Sequence, residues 1–291
     1  MPVVTSSSSP TVLKRWIAFE LRKLREDCRI SREEAAAVIK GSVPAIGHME
    51  TGRSLPKPLE LERLLELYGV AERSEFFLDL RLRAKKGRDW WIGFDDTAVP
   101  EYFKLFLGLE SSAVKIESWD AIVVPGLFQT PDYARAIIRG GRPEFPATEV
   151  EKRVELRMAR QGEVLDQEDA PQVWAVISEA ALRLQVGSPA ILRAQLERLV
   201  ELREYPNIEM QVLPASAGAH TGVDGGFIVL TFPNELEHDP GCVYIESRVK
   251  GVYYEEPDQV MAYRDALTRL RVRADKPEDF PAWAKKAMKE L

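Results

Sequence analysis

The N-terminal part of the chain carries apolar side chains mostly at helical spacing. Residues 15–30, RWIAFELRKLREDCRI, place Trp16 and Leu24 on one stripe with basic residues mostly outside it, and this pattern predicts an amphipathic helix. Ser31 and Glu34 form a capping box ahead of an alanine-rich stretch, so a second helix is expected to begin there. Similar periodicity predicts further helices at residues 59–70 and 73–89.

The stretch GSVPAIGHMETGR at residues 41–53 combines helix-forming and helix-breaking residues. Ser42 is a suitable N-cap, and Pro44 falls in the first turn, where its missing N–H is not needed for an intrahelical hydrogen bond. In this register Ile46 and Met49 face the interior. Gly47 costs about 1 kcal/mol in a helix interior. The stretch is therefore predicted to be a short helix. Either packing stabilises it despite Gly47, or its function requires a surface without a side chain at that position.

Beyond residue 94 the pattern mixes helical periodicity with short apolar runs bounded by turn residues. Helices are predicted at residues 99–118, 131–139, 147–165, 188–205, 257–274 and 279–291. Strands are predicted at residues 121–124, 172–178, 208–214, 226–232, 242–247 and 251–256. Helices come first and neighbouring strands come later, which is typical of a mixed α/β (α+β) domain built around one sheet.

The charge of the chain is divided unevenly, although its net value is -6. Residues 1–88 contain 17 Lys and Arg against 12 Asp and Glu, while the remainder contains 23 against 34. A basic module joined to an acidic one is typical of polyanion-binding proteins, although chance variation in surface charge gives the same pattern. Since no apolar run approaches the ~20 residues of a membrane span and no secretory signal is visible, we expect a cytoplasmic protein.

Cysteine and histidine residues are few and scattered. Cys28 and Cys242 lie far apart without CxxC spacing, so reduced thiols are expected instead of a disulfide framework or a zinc site. His48, His220 and His238 do not have the spacing of metal ligands. We therefore expect no metal and no cofactor.

Short helices, small residues where two of them meet and a glycine-bearing turn are typical of a helix-turn-helix DNA-binding unit. Individual residues between positions 31 and 53 carry a more specific likeness to one family of such units. They are Ser31, Glu33, Glu34, Ala36, Ile39, Ser42, Ile46, Glu50, Gly52 and Arg53. In this gapless register, residues 31–53 resemble the xenobiotic-response-element (XRE) type of repressor domain. The resemblance implies that the recognition helix begins at Ser42 and ends at Thr51–Gly52.

The exposed start of that helix departs from the family, which usually carries Gln, Arg, Ser or Thr there. In this chain the residues are mostly apolar or small. His48 can hydrogen-bond a base edge, whereas the apolar side chains offer contact to a thymine methyl group. We therefore expect modest base readout and a large contribution from phosphate contacts. The candidate DNA-binding residues are Arg32, Lys40, Ser42, Val43, Pro44, Ala45, Gly47, His48, Arg53 and Lys57.

Four segments of the acidic part match a second family. They are VPGLFQTPDYARAII (124–138), RMARQ (157–161), PASAGAHTGVDGGFIVLTF (214–232) and VYIES (243–247). They resemble the domain that follows the XRE module in actinomycete developmental regulators of the WhiJ-like and AbaA-like group. Phe128 and Ser178 depart from that group, which more often has Leu and Asp. The resemblance implies an antitoxin-like transcriptional regulator, frequently encoded beside a small acidic partner protein.

Two short stretches allow more than one interpretation. In VVPGLFQT the Pro-Gly pair is predicted to form a turn. Leu127 and Phe128 either pack in the hydrophobic core or line a groove for a ligand or partner. Trp90 and Trp91, which follow a basic segment, suit either interdomain packing or a dimer interface. The candidate partner-binding or ligand-binding residues are Trp90, Trp91, Leu127, Phe128, Gln129 and Tyr133.

We do not expect the second domain to be an enzyme. Its Gly-rich run SAGAHTGVDGG offers backbone N–H groups beside Ser216, His220 and Asp224, but it lacks the spacing of a phosphate-binding loop. A long hairpin loop is the simpler interpretation. Paired carboxylates such as Asp95–Asp96 are typical of a solvated surface.

These patterns predict a multi-domain protein with an all-α N-terminal domain and a mixed α/β C-terminal domain. The boundaries are a disordered tail at 1–11, an XRE-type helix-turn-helix domain at 12–83, a linker at 84–94 and a regulatory, dimerisation and partner-binding domain at 95–291. The predicted function is a nucleoid-associated, sequence-specific DNA-binding transcriptional repressor. It would bind a double-stranded operator as a homodimer and bind a small acidic protein.

The alternative function is a one-component regulator whose C-terminal domain senses a small molecule. A deep apolar pocket with a few converging polar groups would favour this sensor. A shallow surface with exposed aromatic residues would favour a protein partner.

Overall fold

The computed structural model describes residues 9–95, 98–233 and 239–291. Predictions about the tail before Ser9, about Asp96 and about His238 lie outside these described residues. The chain divides into two units. The first comprises Met1–Ile92 with Phe232–Asp239, and the second comprises Gly93–Thr231 with Pro240–Leu291.

The first unit is all-helical in its described residues, as predicted. Its helices are α1 (Pro10–Asp27), α2 (Arg32–Val38), α3 (Val43–Glu50), α4 (Pro58–Leu67) and α5 (Ser74–Lys86). Short 3₁₀ turns lie at Ala71–Arg73 and Trp90–Gly93. Helix α1 begins at Pro10, within the predicted tail, because proline suits the first turn of a helix.

The core of the first unit lies between α1 and the four helices that follow it. Trp16 of α1, Ile46 of α3, Leu65 of α4 and Phe77 of α5 are almost completely buried. Helix α1 packs against α3 and α5, and α2 packs against α3 and α4. The short α3 is therefore held by tertiary contacts, since eight residues form too few hydrogen bonds for an isolated helix to be stable.

The second unit is built around one six-stranded mixed sheet. Its strands are β1 (Lys115–Asp120), β2 (Gln172–Ser178), β3 (Ile208–Leu213), β4 (Phe227–Thr231), β5 (Cys242–Glu246) and β6 (Gly251–Tyr254). The order across the sheet is β3-β2-β1-β4-β5-β6. Strands β1, β2 and β3 are parallel, and β4, β5 and β6 continue the sheet in antiparallel pairs.

Helices accompany the sheet along the chain, which confirms the predicted α/β architecture of this region. They are α6 (Glu101–Ser111), α7 (Pro131–Gly141), α8 (Ala147–Leu165), α9 (Glu179–Arg183), α10 (Pro189–Leu202), α11 (Pro257–Arg273) and α12 (Phe280–Lys289). Helix α11 contacts β1, β3, β4 and β5, so it covers one face of the sheet.

Two of the predicted elements are wrong. The helix predicted over 99–118 ends at Ser111, and the strand predicted at 121–124 is irregular backbone with Ile122 67% exposed. The actual strand is β1, whose polar Glu117 and Ser118 are buried. Local hydrophobicity does not predict such a strand, because ion pairs with Arg264 and Arg271 of α11 make the burial of Glu117 possible.

Candidate DNA-binding surface

A tight turn at residues 39–42 joins α2 to α3. Lys40 has a φ of 53°, in the left-handed region that few residues other than glycine adopt. The backbone N–H of Gly41 donates to the carbonyl of Ala36 at 2.9 Å, which satisfies one of the terminal carbonyls of α2. This turn fixes the direction in which α3 leaves α2.

Side-chain caps begin both helices where the sequence predicted them. The hydroxyl of Ser31 accepts from the backbone N–H of Glu34 at 3.2 Å, and the Glu34 carboxylate accepts from the N–H of Ser31 at 2.8 Å. The hydroxyl of Ser42 accepts from the N–H of Ala45 at 3.3 Å. Each cap satisfies a backbone donor that the first turn leaves without a helical partner.

Helix α3 has a buried apolar face and a solvent-exposed face. Ile46 and Met49 are buried against the rest of the first unit, as the sequence predicted. Val43, Pro44 and His48 are exposed. The exposed face is therefore short and mainly apolar, with one imidazole able to exchange hydrogen bonds.

A buried carboxylate links α3 to two arginines of the preceding segments. Glu50, whose side chain is 2% exposed, accepts from Nε of Arg25 at 2.5 Å and from Nε of Arg32 at 2.8 Å. The hydrogen bond to Glu50 raises the pKa of Arg25. Removing either partner would leave a buried charge uncompensated, so this network fixes the position of α3. Sequence reasoning assigned no role to Arg25.

The end of α3 holds a second group of contacts. The hydroxyl of Thr51 donates to the carbonyl of Gly47 at 2.8 Å, and the N–H of Arg53 donates to the carbonyl of His48 at 2.9 Å. Gly52 between them has a φ of +69°, which suits a residue without a Cβ. Arg53 is thereby held at the end of the helix with its side chain exposed.

The structure brings the predicted DNA-binding residues together on α2, α3 and the loop that follows. Ala45 and Gly47 are partly exposed. Those that are exposed are Arg32, Lys40, Ser42, Val43, Pro44, His48, Arg53 and Lys57. Arg32 is held by Glu50, but 44% of its side chain remains exposed. Lys57 lies 3.4 Å from Glu60 with most of its side chain in solvent.

Gly47 lies in the middle of α3 with open space beside it. A Cβ added at this position would meet no heavy atom of the described residues within 4 Å. Close packing inside the unit therefore does not explain why position 47 is a glycine. A bare helix surface that lets another molecule approach fits the geometry better.

Both parts of the chain match known protein families. A family described as a helix-turn-helix domain matches residues 16–76, which include the whole α2–turn–α3 segment. A second family, described as a domain of unknown function (DUF5753), matches residues 103–284, more than half of the chain. The chain belongs to the DUF5753 family. No curated protein and no solved structure matches it.

In the DUF5753 domain, the candidate partner-binding residues of the VVPGLFQT stretch are buried. Leu127 and Phe128 are buried in a 3₁₀ turn, and the hydroxyl of Tyr133 accepts from the N–H of Val124 at 3.3 Å. Gln129 donates to the Val124 carbonyl at 2.8 Å. These contacts match the core-packing interpretation of this stretch.

The other candidate residues, Trp90 and Trp91, belong to the first unit. Their rings meet edge to face with centroids 5.6 Å apart, and Trp91 is buried. An aromatic pair of this geometry stabilises the end of the helical unit.

The Gly-rich run of the DUF5753 domain packs on a tryptophan of β1. The indole N–H of Trp119 donates to the carbonyl of Gly222 at 2.9 Å, and the ring of His220 lies edge to face with the indole at 5.1 Å. A Cβ at Gly222 would clash with the indole ring. Close packing thus explains this glycine.

The described residues also contain two free thiols, Cys28 and Cys242. In the same part of the chain, no group of three His, Cys, Asp or Glu side chains is arranged to hold a metal ion. Among the described helices, none is long and apolar enough to cross a membrane.

Proposed function

We propose that the protein is a sequence-specific DNA-binding transcriptional repressor that inserts α3 into the major groove. The observation that carries this proposal is the exposed face of α3, with His48 exposed in its last turn and an open surface at Gly47. An α-helix fits the major groove, and the residues at its exposed face reach the base edges.

Basic residues flank this face on both sides. Lys40 lies in the turn before α3, while Arg53 and Lys57 lie after it, and all three are exposed. Side chains at the two ends of a recognition helix are suited to phosphates, because the DNA backbone lies on both sides of the groove. We propose that these residues supply sequence-independent affinity and that His48 supplies base readout.

Two copies are proposed to bind one operator, since one helix-turn-helix reads a half-site of a few base pairs. The resemblance to the WhiJ-like and AbaA-like group supports an antitoxin-like regulator with a small acidic protein partner. We propose no catalytic activity for the second domain, and we propose that the protein acts in the cytoplasm at the nucleoid.

The proposal is tested with the full chain on a preferred site selected from random DNA and on an unselected duplex. His48→Ala should weaken binding to the preferred site by roughly 1–3 kcal/mol and leave the unselected duplex almost unaffected. Arg53→Ala should weaken both, and should reduce the slope of log affinity against log salt by about one.

Arg22→Ala is the matched control, because Arg22 is an exposed arginine of α1. It should leave affinity, specificity and salt slope close to those of the original chain. If His48→Ala leaves the ratio of preferred to random affinity unchanged, α3 is not the reading helix and the proposal fails.

A further inference from the structure

The second unit contains a cavity of about 610 Å³. This volume lies within the roughly 300–1,000 Å³ of pockets that hold small molecules. Its walls come from the start of α6, the end of α7, α8 and the turn after β5. These elements lie within one unit, so the cavity belongs to the DUF5753 domain itself.

One part of the wall is apolar and partly aromatic. Phe103, Ile138, Phe145 and Leu156 line it. Phe145 lies beneath the guanidinium of Arg153, with 4.4 Å from the guanidinium carbon to the ring centroid. A flat or aliphatic group of a ligand would find apolar surface here.

The other part of the wall is strongly cationic. It contains the five arginines Arg142, Arg153, Arg157, Arg160 and Arg248. Glu246 is the acidic residue among the described lining residues. Burial raises the pKa of the Glu246 carboxyl, although the arginines around it act in the opposite direction. The lining therefore carries an excess of positive charge.

Acidic residues behind the wall neutralise part of this charge. Arg160 forms a buried pair with Glu110, with 2.6 Å between Nη2 and Oε1. Arg153 donates to Glu149 at 2.9 Å. At the mouth, Glu144 lies 3.7 Å from Arg142 and 3.8 Å from Arg248. Four of the five arginines thus have a carboxylate nearby.

Arg157 differs from the other four. Among the described residues it makes no ion pair, and its Nη1 donates at 2.5 Å to the neutral amide oxygen of Gln129. The amide nitrogen of Gln129 donates in turn to the Val124 carbonyl at 2.8 Å, which fixes the amide with its oxygen toward Arg157. Burial, together with repulsion from Arg160, lowers the pKa of Arg157 to about 10, although attraction to Glu246 acts in the opposite direction.

Arg157 is held in place, makes no ion pair with the described residues and lies in a partly apolar cavity whose described lining holds five arginines against one carboxyl. It is therefore a binding group for an anion, because an ionised ligand offsets this excess of positive charge. We propose that this cavity binds a small organic anion, with its carboxylate or phosphate on Arg157 and its aromatic or aliphatic body against Phe145 and Leu156. The RMARQ segment supplies Arg157 and Arg160 to this site. The inference goes beyond DNA binding and is tested without DNA.

The experiment titrates the full chain by calorimetry with 2-naphthoate, 1-naphthyl phosphate and decanoate, and with neutral 2-naphthamide. At least one of the anions should bind saturably, with one site per chain and at least about tenfold more tightly than the amide. Arg157→Gln should weaken that anion about tenfold or more, because a charge-assisted hydrogen bond is lost. Arg157→Lys should retain part of the affinity.

Arg139→Gln is the matched control, since Arg139 is an exposed arginine of α7 outside the cavity. It should bind the anion as the original chain does, and the thermal midpoint of each variant shows that the fold is retained. The proposal is overturned if none of the three anions binds at millimolar concentration, or if folded Arg157→Gln binds equally well. Tighter binding of a hexaglutamate peptide than of every small anion would also overturn it, in favour of an acidic protein segment.

DNA affinity is measured on the same variants. Arg157→Gln should bind the operator normally in the absence of anion, whereas the His48→Ala and Arg53→Ala variants should bind the anion normally. Failure of the cavity proposal is thereby distinguished from failure of the DNA-binding proposal.

Discussion

At the scale of single residues, Lys40 adopts a backbone conformation that a lysine disfavours. Its φ of 53° brings the Cβ close to the following carbonyl, which costs a residue other than glycine roughly 1–2 kcal/mol. The side chain is exposed, so packing does not compensate for this strain. A positive charge beside a DNA phosphate would be a reason to have lysine at this position.

We predict that Lys40→Gly and Lys40→Ala weaken DNA binding equally but differ in stability. Both variants remove the charge, whereas glycine alone relieves the left-handed strain. Lys40→Gly should therefore be more stable than Lys40→Ala by about 1 kcal/mol in urea unfolding. Equal stability of the two variants would contradict the strain at this turn.

Gly47 allows a second substitution test, because a side chain added there would enter open space. Gly47→Leu should keep or raise the thermal midpoint, since leucine stabilises a helix by up to about 1 kcal/mol relative to glycine. The same variant should lose specific DNA binding if α3 lies close to the groove floor. Gly47→Ala is the control and should lose less affinity. Normal operator binding by folded Gly47→Leu would show that this surface stays away from the DNA.

At the scale of elements, β1 is the strand on which the sheet changes from parallel to antiparallel pairing. It pairs with β2 in parallel and with β4 in antiparallel orientation. Its Glu117 is buried but lies 2.9 Å from Arg271 and 3.8 Å from Arg264, both of α11. The strand therefore depends on charges that other parts of the second unit provide.

Asp120 at the end of β1 has a titration that can be tested. Burial raises the pKa of its carboxyl to about 7, while the Ser118 hydroxyl donates to it at 2.5 Å. A carboxyl whose pKa is higher in the folded state than in the unfolded state binds its proton more tightly in the folded state. The free energy of unfolding of the protein therefore falls as the pH rises from the unfolded-state pKa, near 4, to the folded-state pKa, about 7.

Asp120→Asn cannot ionise, so its free energy of unfolding should not include this loss. Between pH 5 and pH 8.5, the original chain should lose on the order of 2–3 kcal/mol relative to Asp120→Asn in urea unfolding. Asp169→Asn, which changes an exposed carboxylate, should follow the original chain. An identical pH dependence of the Asp120→Asn and original chains would show that Asp120 is ionised throughout.

At the scale of the whole molecule, a basic segment and an acidic remainder share one chain. Residues 1–88 carry an excess of five positive charges, and the remainder carries an excess of eleven negative charges. We expect such a distribution to attract DNA more to the helix-turn-helix unit than to the remainder of the chain.

We predict that two chains bind one operator made of two half-sites about one helical turn apart. Sedimentation equilibrium of the full chain with operator DNA should give two chains per duplex. Insertion of about five base pairs between the half-sites should place them on opposite faces of the DNA and reduce affinity strongly. A single chain per duplex at micromolar concentration would contradict this stoichiometry.

Much of the local structure could be predicted from the sequence, because short-range chemistry sets it. The caps at Ser31 and Ser42 begin their helices as predicted. Helix α8 and strand β2 have the predicted bounds, since an uninterrupted periodic pattern and flanking proline or turn residues define both. The exposure of His48 on α3 also follows from the helical register.

Other features were decided by tertiary structure alone, because their partners are distant in sequence. Strand β1 could not be predicted, since its Glu117 is stabilised in the interior by Arg271, 154 residues away. The cavity brings Arg157 of α8 together with Glu246 at the end of β5. No local pattern predicts this, because the two residues lie on different elements far apart in sequence, and only the folded second unit lines one cavity with both.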